Sequence, residues 1–205
     1  AMLGINGAAA LGLHRRHGWQ IVALAGFSAA LPDWDGLTII LGANCYAAAH
    51  RVCGHNLLVA GLLGAVTGWL CYRFDFFTKI QQAAARKWPL FATAEPDLAS
   101  GQHSPRESLV WIAVGLIAAY SHLLADLLFS AGDSLPVWHI PLFWPFSHAG
   151  FACPMVPWGD VGTTVIFALG MIFMARRPRY IQSTAICTLL LVALYIMLRG
   201  SLRFS

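Results

Sequence analysis

The chain has 205 residues, of which 58% are hydrophobic and only 11% are charged, and its formal net charge at pH 7 is +4. Soluble domains usually have about a quarter charged residues, so this composition, with a mean hydropathy of +0.64, excludes an ordinary soluble domain and indicates a membrane protein. No basic cluster is interleaved with polar or aromatic residues, so we expect no nucleic-acid partner.

We predict an all-α, polytopic membrane protein, residues 1–205 forming a single domain with about five membrane-embedded helices. Several apolar segments are shorter than the roughly 20 residues that a full span needs, so some helices should be short. "INGAAALGL" near the start is a further candidate helix. The five segments run over residues 18–32, 56–72, 108–131, 160–175 and 181–198.

A polar insertion over residues 73–107 interrupts the apolar segments. Within it, "QQAAARKW" predicts a short interfacial helix. Ser104, Pro105 and Glu107 predict the start of the next helix, with Ser104 as the N-cap.

The basic residues predict the orientation in the membrane. They concentrate in three connections that can all lie on one side, which the positive-inside rule assigns to the cytoplasm. Nearly all the chemically capable side chains then fall on the opposite, outer side. The basic residues are Arg15 and Arg16 in the first connection, Arg73, Lys79, Arg86, Lys87 and Arg106 in the second, and Arg176, Arg177 and Arg179 in the third.

The stretch "SHLLADLLFSAG" places His122 and Asp126 four residues apart in an apolar helix, so both side chains leave the same face. An ionisable pair inside a bilayer costs several kcal/mol unless it is paired or coordinated. The pair alone is compatible either with metal ligation or with a structural His–Asp hydrogen bond.

Two shorter motifs on the outer side carry further candidate ligands. "LPDWDGL" offers Asp33 and Asp35, which either converge on a cation or form a helix-capping turn. "HRVCGHN" offers His50 and His55, which a regular helix would place about 140° apart, so both reach one centre only if Gly54 breaks the helix.

Taken together, six side chains of ligand type fall on the outer side, and mixed His/Asp sets suit zinc or manganese in phosphoester hydrolysis. We therefore predict a divalent metal site, with zinc preferred and manganese as the alternative. Arg51 is expected to bind the phosphate, and Asp35, where it is not a ligand, to accept a proton. Trp144 and Ser147 are the further candidate substrate contacts. His139 and His148 are interpreted as solvated, with metal ligation as the less favoured alternative. The predicted ligands are Asp33, Asp35, His50, His55, His122 and Asp126.

The motifs "LPDWD", "HRVCGHNLL", "SHLLADLLFSAG" and "PLFWPFS", in this order, resemble the YdjM-like family of bacterial inner-membrane, metal-dependent hydrolases linked to LexA regulation. The order of Asp, His and then His-x-x-x-Asp is more loosely similar to the zinc-dependent phospholipase C and P1-type nuclease group. The resemblance implies a multi-pass protein of the bacterial inner membrane. It also makes phosphoester hydrolysis the leading chemistry, although likeness of fold does not establish a reaction.

The chain departs from the family pattern at one position. The family usually has a Thr-His pair near its start, where this chain reads "GING", so Asn6 replaces the histidine. Because Asn is a poorer zinc ligand than imidazole, Asn6 is a candidate degenerate ligand.

Three functional hypotheses follow. The first is a membrane enzyme that cleaves a phosphoester in a lipid or lipid-linked substrate with a metal-activated water, its active site on the periplasmic side. The second is a transporter or scaffold whose His/Asp cluster is an ion pathway or a structural clamp, although no inverted repeat is evident. The third is haem ligation by paired histidines, for which His122 has no obvious partner on another apolar helix.

Overall fold

The computed structural model of the chain describes residues 1–50, 52–87, 104–132 and 137–204. Within these ranges the secondary structure is helical apart from two isolated bridges, Ala131 with Pro157 and Ile140 with Phe151, which confirms the all-α class. A 3₁₀ helix, Leu31–Leu41, lies between α3 and α4, and a 3₁₀ turn, Pro178–Tyr180, precedes the last helix. The α-helices are α1 (Met2–Ala10), α2 (Leu13–His17), α3 (Trp19–Ser28), α4 (Ala43–Ala49), α5 (Leu57–Arg73), α6 (Phe76–Lys87), α7 (Pro105–Leu128), α8 (Gly162–Arg176) and α9 (Ile181–Phe204).

The central element is the antiparallel pair of α5 and α7, in which small residues bring the two backbones together. A Cβ atom at Gly64 would lie 2.4 Å from the carbonyl oxygen of Gly115, so neither glycine tolerates a side chain without a shift. Close packing of small residues is a common way for apolar helices to associate in a bilayer. Tyr120 Oη donates to the Leu57 carbonyl at 3.2 Å, which places the beginning of α5 beside the C-terminal half of α7.

The remaining helices pack around this pair. α1 lies against α3, where a Cβ at Gly4 would be 2.3 Å from the Ala25 carbonyl oxygen. Ile21 and Leu24 of α3 are fully buried in a core shared with Trp111 of α7. α9 contacts α1 through a second core and is joined to α8 by glycine contacts.

Among the described residues, two helical stretches are long and apolar enough to cross a membrane, Pro105–Leu128 and Pro178–Arg203. A third span requires that Leu57–Arg73 and Phe76–Ala84, which are bent by 60°, form one crossing. α3 and α8 are apolar but shorter. All five predicted segments therefore contain helices, whereas the predicted count of about five membrane-embedded helices is not confirmed.

The two ends of the bundle differ in composition. At what we call the basic end, His17 Nδ1 of α2 lies 2.5 Å from Glu107 Oε1 near the start of α7, and the Ser104 amide donates to Tyr72 Oη of α5 at 2.7 Å. The basic residues of the three connections that the structure describes are at this end. The opposite end, the site end, brings together the end of α3, the beginning of α5 and the C-terminal half of α7.

The polar insertion is described only in part. α6 covers Phe76–Lys87, residues 88–103 lie outside the described residues, and α7 begins at Pro105 after Ser104 as predicted. The single-domain organisation and the cytoplasmic side of the insertion stay predictions.

Candidate metal centre

The 3₁₀ helix after α3 carries the two aspartates of "LPDWDG" in opposite environments. Pro32 occupies its first turn and is itself buried. With three residues per turn, residues two apart point in different directions. Asp35 is accordingly fully buried, whereas the Asp33 side chain is 57% exposed at the surface.

His55 reaches the centre because the chain turns sharply between α4 and α5. α4 ends at Ala49, and Asn56 caps α5 by accepting a hydrogen bond from the Val59 amide at 2.8 Å. Between them, a Cβ at Gly54 would lie 2.0 Å from the Pro32 carbonyl oxygen, so only glycine allows this approach to the 3₁₀ helix. The helix is therefore broken between His50 and His55, around Gly54, as the sequence analysis required for the two histidines to approach each other.

α7 supplies His122 and Asp126 from one face, one turn apart. His122 Nδ1 is 2.9 Å from the Ala29 carbonyl oxygen, just beyond α3. Since a carbonyl only accepts, this contact makes Nδ1 the donor nitrogen and leaves Nε2 free to bind a cation.

Four donor atoms from three segments converge at the site end. Two carboxylate oxygens lie against the same pair of imidazole Nε2 atoms, and we call Asp33, His55, His122 and Asp126 the four-donor cluster. Asp33 Oδ1 lies 3.4 Å from His55 Nε2 and 3.3 Å from His122 Nε2, Asp126 Oδ2 lies 3.2 Å and 3.5 Å from the same two atoms, and the two Nε2 atoms are 3.3 Å apart.

Among the described residues, Asp33, His55 and His122 form a group whose donor atoms all lie within 4.8 Å of one another. The three distances between their atoms match the edges of one face of a metal-sized tetrahedron. With bonds of about 2.0–2.1 Å from zinc to nitrogen or oxygen, neighbouring ligands in a tetrahedral site lie about 3.3–3.4 Å apart. Asp33, His55 and His122 thus have the donor types and the spacing that suit a divalent cation, and Asp126 lies beside the two histidines. The two histidine Nε2 atoms are 3.3 Å apart with carboxylate oxygens against both, an arrangement that does not favour haem ligation.

Asp35 lies one hydrogen bond away from this cluster, and His50 lies one further. Asp35 Oδ2 accepts from His55 Nδ1 at 3.2 Å and from the Gly54 amide at 2.9 Å, and Asp35 Oδ1 accepts from His50 Nδ1 at 3.0 Å. A carboxylate on the far nitrogen of a ligating histidine is a common arrangement in metal sites, where it fixes the ring and its tautomer. The structure therefore places Asp35 behind His55, and His50 joins the group through Asp35.

The carboxylates of the site favour positive charge at its centre. Burial disfavours the charged imidazole of His55, but hydrogen bonds with Asp126, Asp33 and Asp35 outweigh this and raise its pKa to about 10. Burial likewise opposes the charged form of Asp35, but its hydrogen bonds with His55, Gly54 and His50 hold its pKa below the ordinary value. In the metal-free protein a proton on His55 supplies the charge that a cation would bring.

The other predicted site residues have no described contact with the four donors or cannot be placed. Arg51 lies outside the described residues. Trp144 and Ser147 belong to a loop docked at the site end, where the Leu57 amide donates to the Leu142 carbonyl at 2.9 Å. The Ser147 hydroxyl accepts from the Ala149 amide, and no described contact joins either residue to the cluster. His139 and His148 are exposed, as interpreted from the sequence.

Asn6 is fully buried in α1, and its Nδ2 donates to the Met2 carbonyl at 3.0 Å. Its Oδ1 is buried without a hydrogen-bond partner among the described residues. No described contact joins Asn6 to the four-donor cluster, so its role as a degenerate ligand stays a prediction.

Several groups that shape the site were not predicted. The Ala29 carbonyl and the Gly54 amide act through the backbone, which side-chain motifs do not reveal. The His50 ring stacks on Tyr46 at 4.5 Å between centroids and meets Trp138 edge-on at 6.0 Å. The glycine inside "HRVCGHN" was the signal that the backbone comes close there.

Comparison with known proteins identifies the family of the chain. The model of the YdjM inner membrane protein family matches residues 1–202. The chain belongs to the YdjM inner membrane protein family. The description of the family, an inner membrane protein, agrees with the apolar helices of the chain, but it names no reaction.

The other two comparisons identified no further relative of this YdjM-family chain. Neither the search of curated proteins nor the search of solved structures found a significant match. The looser similarity to the phospholipase C and P1-type nuclease group therefore has no support beyond the order of the motifs.

Proposed function

We propose that this YdjM-family protein is a metal-dependent hydrolase that cleaves a phosphoester in a membrane lipid or lipid-linked substrate. The observation that carries the proposal is the group formed by Asp33, His55 and His122, whose donor atoms all lie within 4.8 Å of one another. Three such ligands suit a catalytic ion with an open position, with zinc as the preferred ion and manganese as the alternative. A divalent ion held there would polarise a phosphoryl oxygen and lower the pKa of a coordinated water.

The exposure of the ligands supports access by a substrate. His55 is fully buried, whereas Asp33 is more than half exposed, so the cluster opens on the Asp33 side. Within the proposal, Asp35 orients His55, and its three hydrogen bonds favour this role over that of a proton acceptor. Arg51, next to His50 in the chain, would bind the phosphate, as guanidinium groups commonly do.

The surroundings of the cluster support a lipid substrate. The same 3₁₀ helix that carries Asp33 continues into four large apolar side chains, each more than half exposed. So large an apolar surface beside a polar site suits contact with acyl chains better than contact with water. These side chains belong to Leu37, Ile39, Ile40 and Leu41.

We further propose that the site faces the periplasm, in a protein of the bacterial inner membrane. This orientation is supported by the position of the four-donor cluster at the opposite end of the bundle from the basic connections, which the positive-inside rule assigns to the cytoplasm.

A lipid screen tests the proposed reaction. Purified protein in vesicles of mixed phospholipids, loaded with zinc or manganese, should release phosphoester-cleavage products that mass spectrometry detects. Chelation should stop their formation, and His122→Ala should lower the rate by at least about a hundredfold. Asp160→Asn is the matched control, because Asp160 lies at the same end but binds Tyr195 and Arg199 instead. Products that form equally with chelator present would contradict the proposal.

The Asp126 carboxylate beside the two histidines favours one second candidate, a structural metal clamp. Four protein ligands, with Asp126 as the fourth, would close the site, which is typical of structural rather than catalytic zinc sites. They also join the 3₁₀ helix, the turn before α5 and α7. A clamp predicts that chelation lowers the melting temperature while the metal-loaded protein cleaves no lipid of the screen.

A further inference from the structure

α6 is fixed to the bundle along one of its faces. Phe77 packs edge-on against Phe27 of α3 with 6.3 Å between ring centroids. One turn later, Gln81 Oε1 accepts a hydrogen bond from Gln20 Nε2 of α3 at 3.0 Å. The helix is therefore held at a defined rotation, and its other faces point away from α3.

The outward surface of α6 is divided into an apolar and a basic strip. Phe76 and Ile80 are about half exposed and, at 100° per residue, lie about 40° apart around the helix axis. Lys79 and Arg86 are exposed and lie about 20° apart, roughly a quarter of a turn from the apolar strip. Gln82 lies beside the basic strip and is also exposed.

The position of α6 in the chain brings this surface to the edge of the membrane. α6 follows the apolar α5 directly and turns by 60° from its direction at the basic end. An amphipathic helix with Lys and Arg on its polar strip and Phe on its apolar strip is typical of helices that lie in the membrane interface. The sequence from 76 to 87 contains no acidic residue, so its charge complements an anionic surface.

We propose that α6 is an anionic-lipid-binding helix, with Phe76 and Ile80 inserted among the acyl chains and Lys79 and Arg86 bound to anionic phospholipid headgroups. Each basic residue close to an anionic membrane strengthens binding by about fivefold. Since α6 continues from α5 and contacts α3, lipid bound there would stabilise the basic end of the bundle. This role is independent of the four-donor cluster at the opposite end.

Hydrogen–deuterium exchange of the full-length protein in lipid nanodiscs tests this inference. One nanodisc contains only phosphatidylcholine, and the other contains phosphatidylcholine with phosphatidylglycerol. Peptides covering residues 76–87 should exchange at least about fivefold more slowly with phosphatidylglycerol. The double variant Lys79→Gln/Arg86→Gln should reduce this difference to less than about twofold.

The matched control is Arg176→Gln/Arg177→Gln, which removes two exposed charges from another connection at the same end. It should retain the full lipid effect on α6. Equal exchange of wild-type α6 in both nanodiscs would overturn the proposal, and so would a full effect in the α6 variant.

Discussion

At the scale of single residues, the Asp35 carboxylate holds two histidines at once, His50 through Oδ1 and His55 through Oδ2. It is fully buried and also accepts the Gly54 amide, so an amide side chain in its place would bring donors against donors. The orientation of His55 Nε2 toward the other three donors therefore depends on a residue that does not itself lie in the four-donor cluster.

We expect Asp35→Asn to weaken metal binding by about 10- to 100-fold, as is usual when a carboxylate behind a ligating histidine is removed. Zinc titration of the purified variant against a competing chelator measures this change. Asp160→Asn serves as control and should bind metal like the wild type. An Asp35→Asn variant with wild-type affinity would show that His55 is oriented without this hydrogen bond.

The raised pKa of His55, about 10 in the metal-free protein, predicts how metal binding depends on pH. At neutral pH the metal-free imidazole is protonated, and a cation can bind only when that proton leaves. Affinity should therefore rise with pH between 6 and 9, by about tenfold per unit for each proton released. Calorimetry in buffers of different ionisation enthalpy counts the protons, and release of none would contradict the assignment of His55.

At the scale of secondary-structure elements, the site depends on how closely the turn between α4 and α5 approaches the 3₁₀ helix. That approach is possible because Gly54 has no side chain to meet the Pro32 carbonyl. The same approach brings the Gly54 amide within hydrogen-bond distance of Asp35, and it also brings His55 into the cluster. The five-residue spacing of His50 and His55 thus allows both side chains to reach the Asp35 carboxylate.

Gly54→Ala should move this turn, and we expect it to lower the free energy of unfolding by about 1–3 kcal/mol, as overpacking usually does. It should also weaken zinc binding more than Asp35→Asn, because it displaces His55 itself. Chemical unfolding and metal titration measure the two effects. Gly7→Ala is the control, since a Cβ there has open space within 4 Å. A Gly54→Ala protein with normal metal affinity would contradict this account of the turn.

At the scale of the whole molecule, the basic connections lie at one end of the bundle and the four-donor cluster lies at the other. We expect a cysteine at His148, at the site end, to react with a membrane-impermeant maleimide in spheroplasts, and a cysteine at Arg177, at the basic end, to react only after permeabilisation. Both are placed in a background without native cysteines. The reverse pattern would put the four-donor cluster on the cytoplasmic side.

Much of this architecture could be predicted from sequence, because apolar runs long enough for helices are visible in the composition of each segment. His122 and Asp126 were recognisable as a pair, since the i, i+4 spacing of a helix puts them on one face. The number of full spans was not predictable in this way, because α3 and α8 are apolar but short. Asp35 lies behind His55 instead of among the four donors because of the rotation of the 3₁₀ helix and the backbone contacts at Gly54 and Ala29. Motif spacing specifies neither of these.

The most direct test of the account is the metal content of the purified, folded protein after reloading with zinc or manganese. Elemental analysis by mass spectrometry should find about one divalent ion per chain, bound through the four-donor cluster. The double variant His55→Ala/His122→Ala should contain none, while Asp160→Asn should contain as much as the wild type. A folded wild-type protein that retains no stoichiometric metal would contradict the metal centre, and with it both the hydrolase and the clamp.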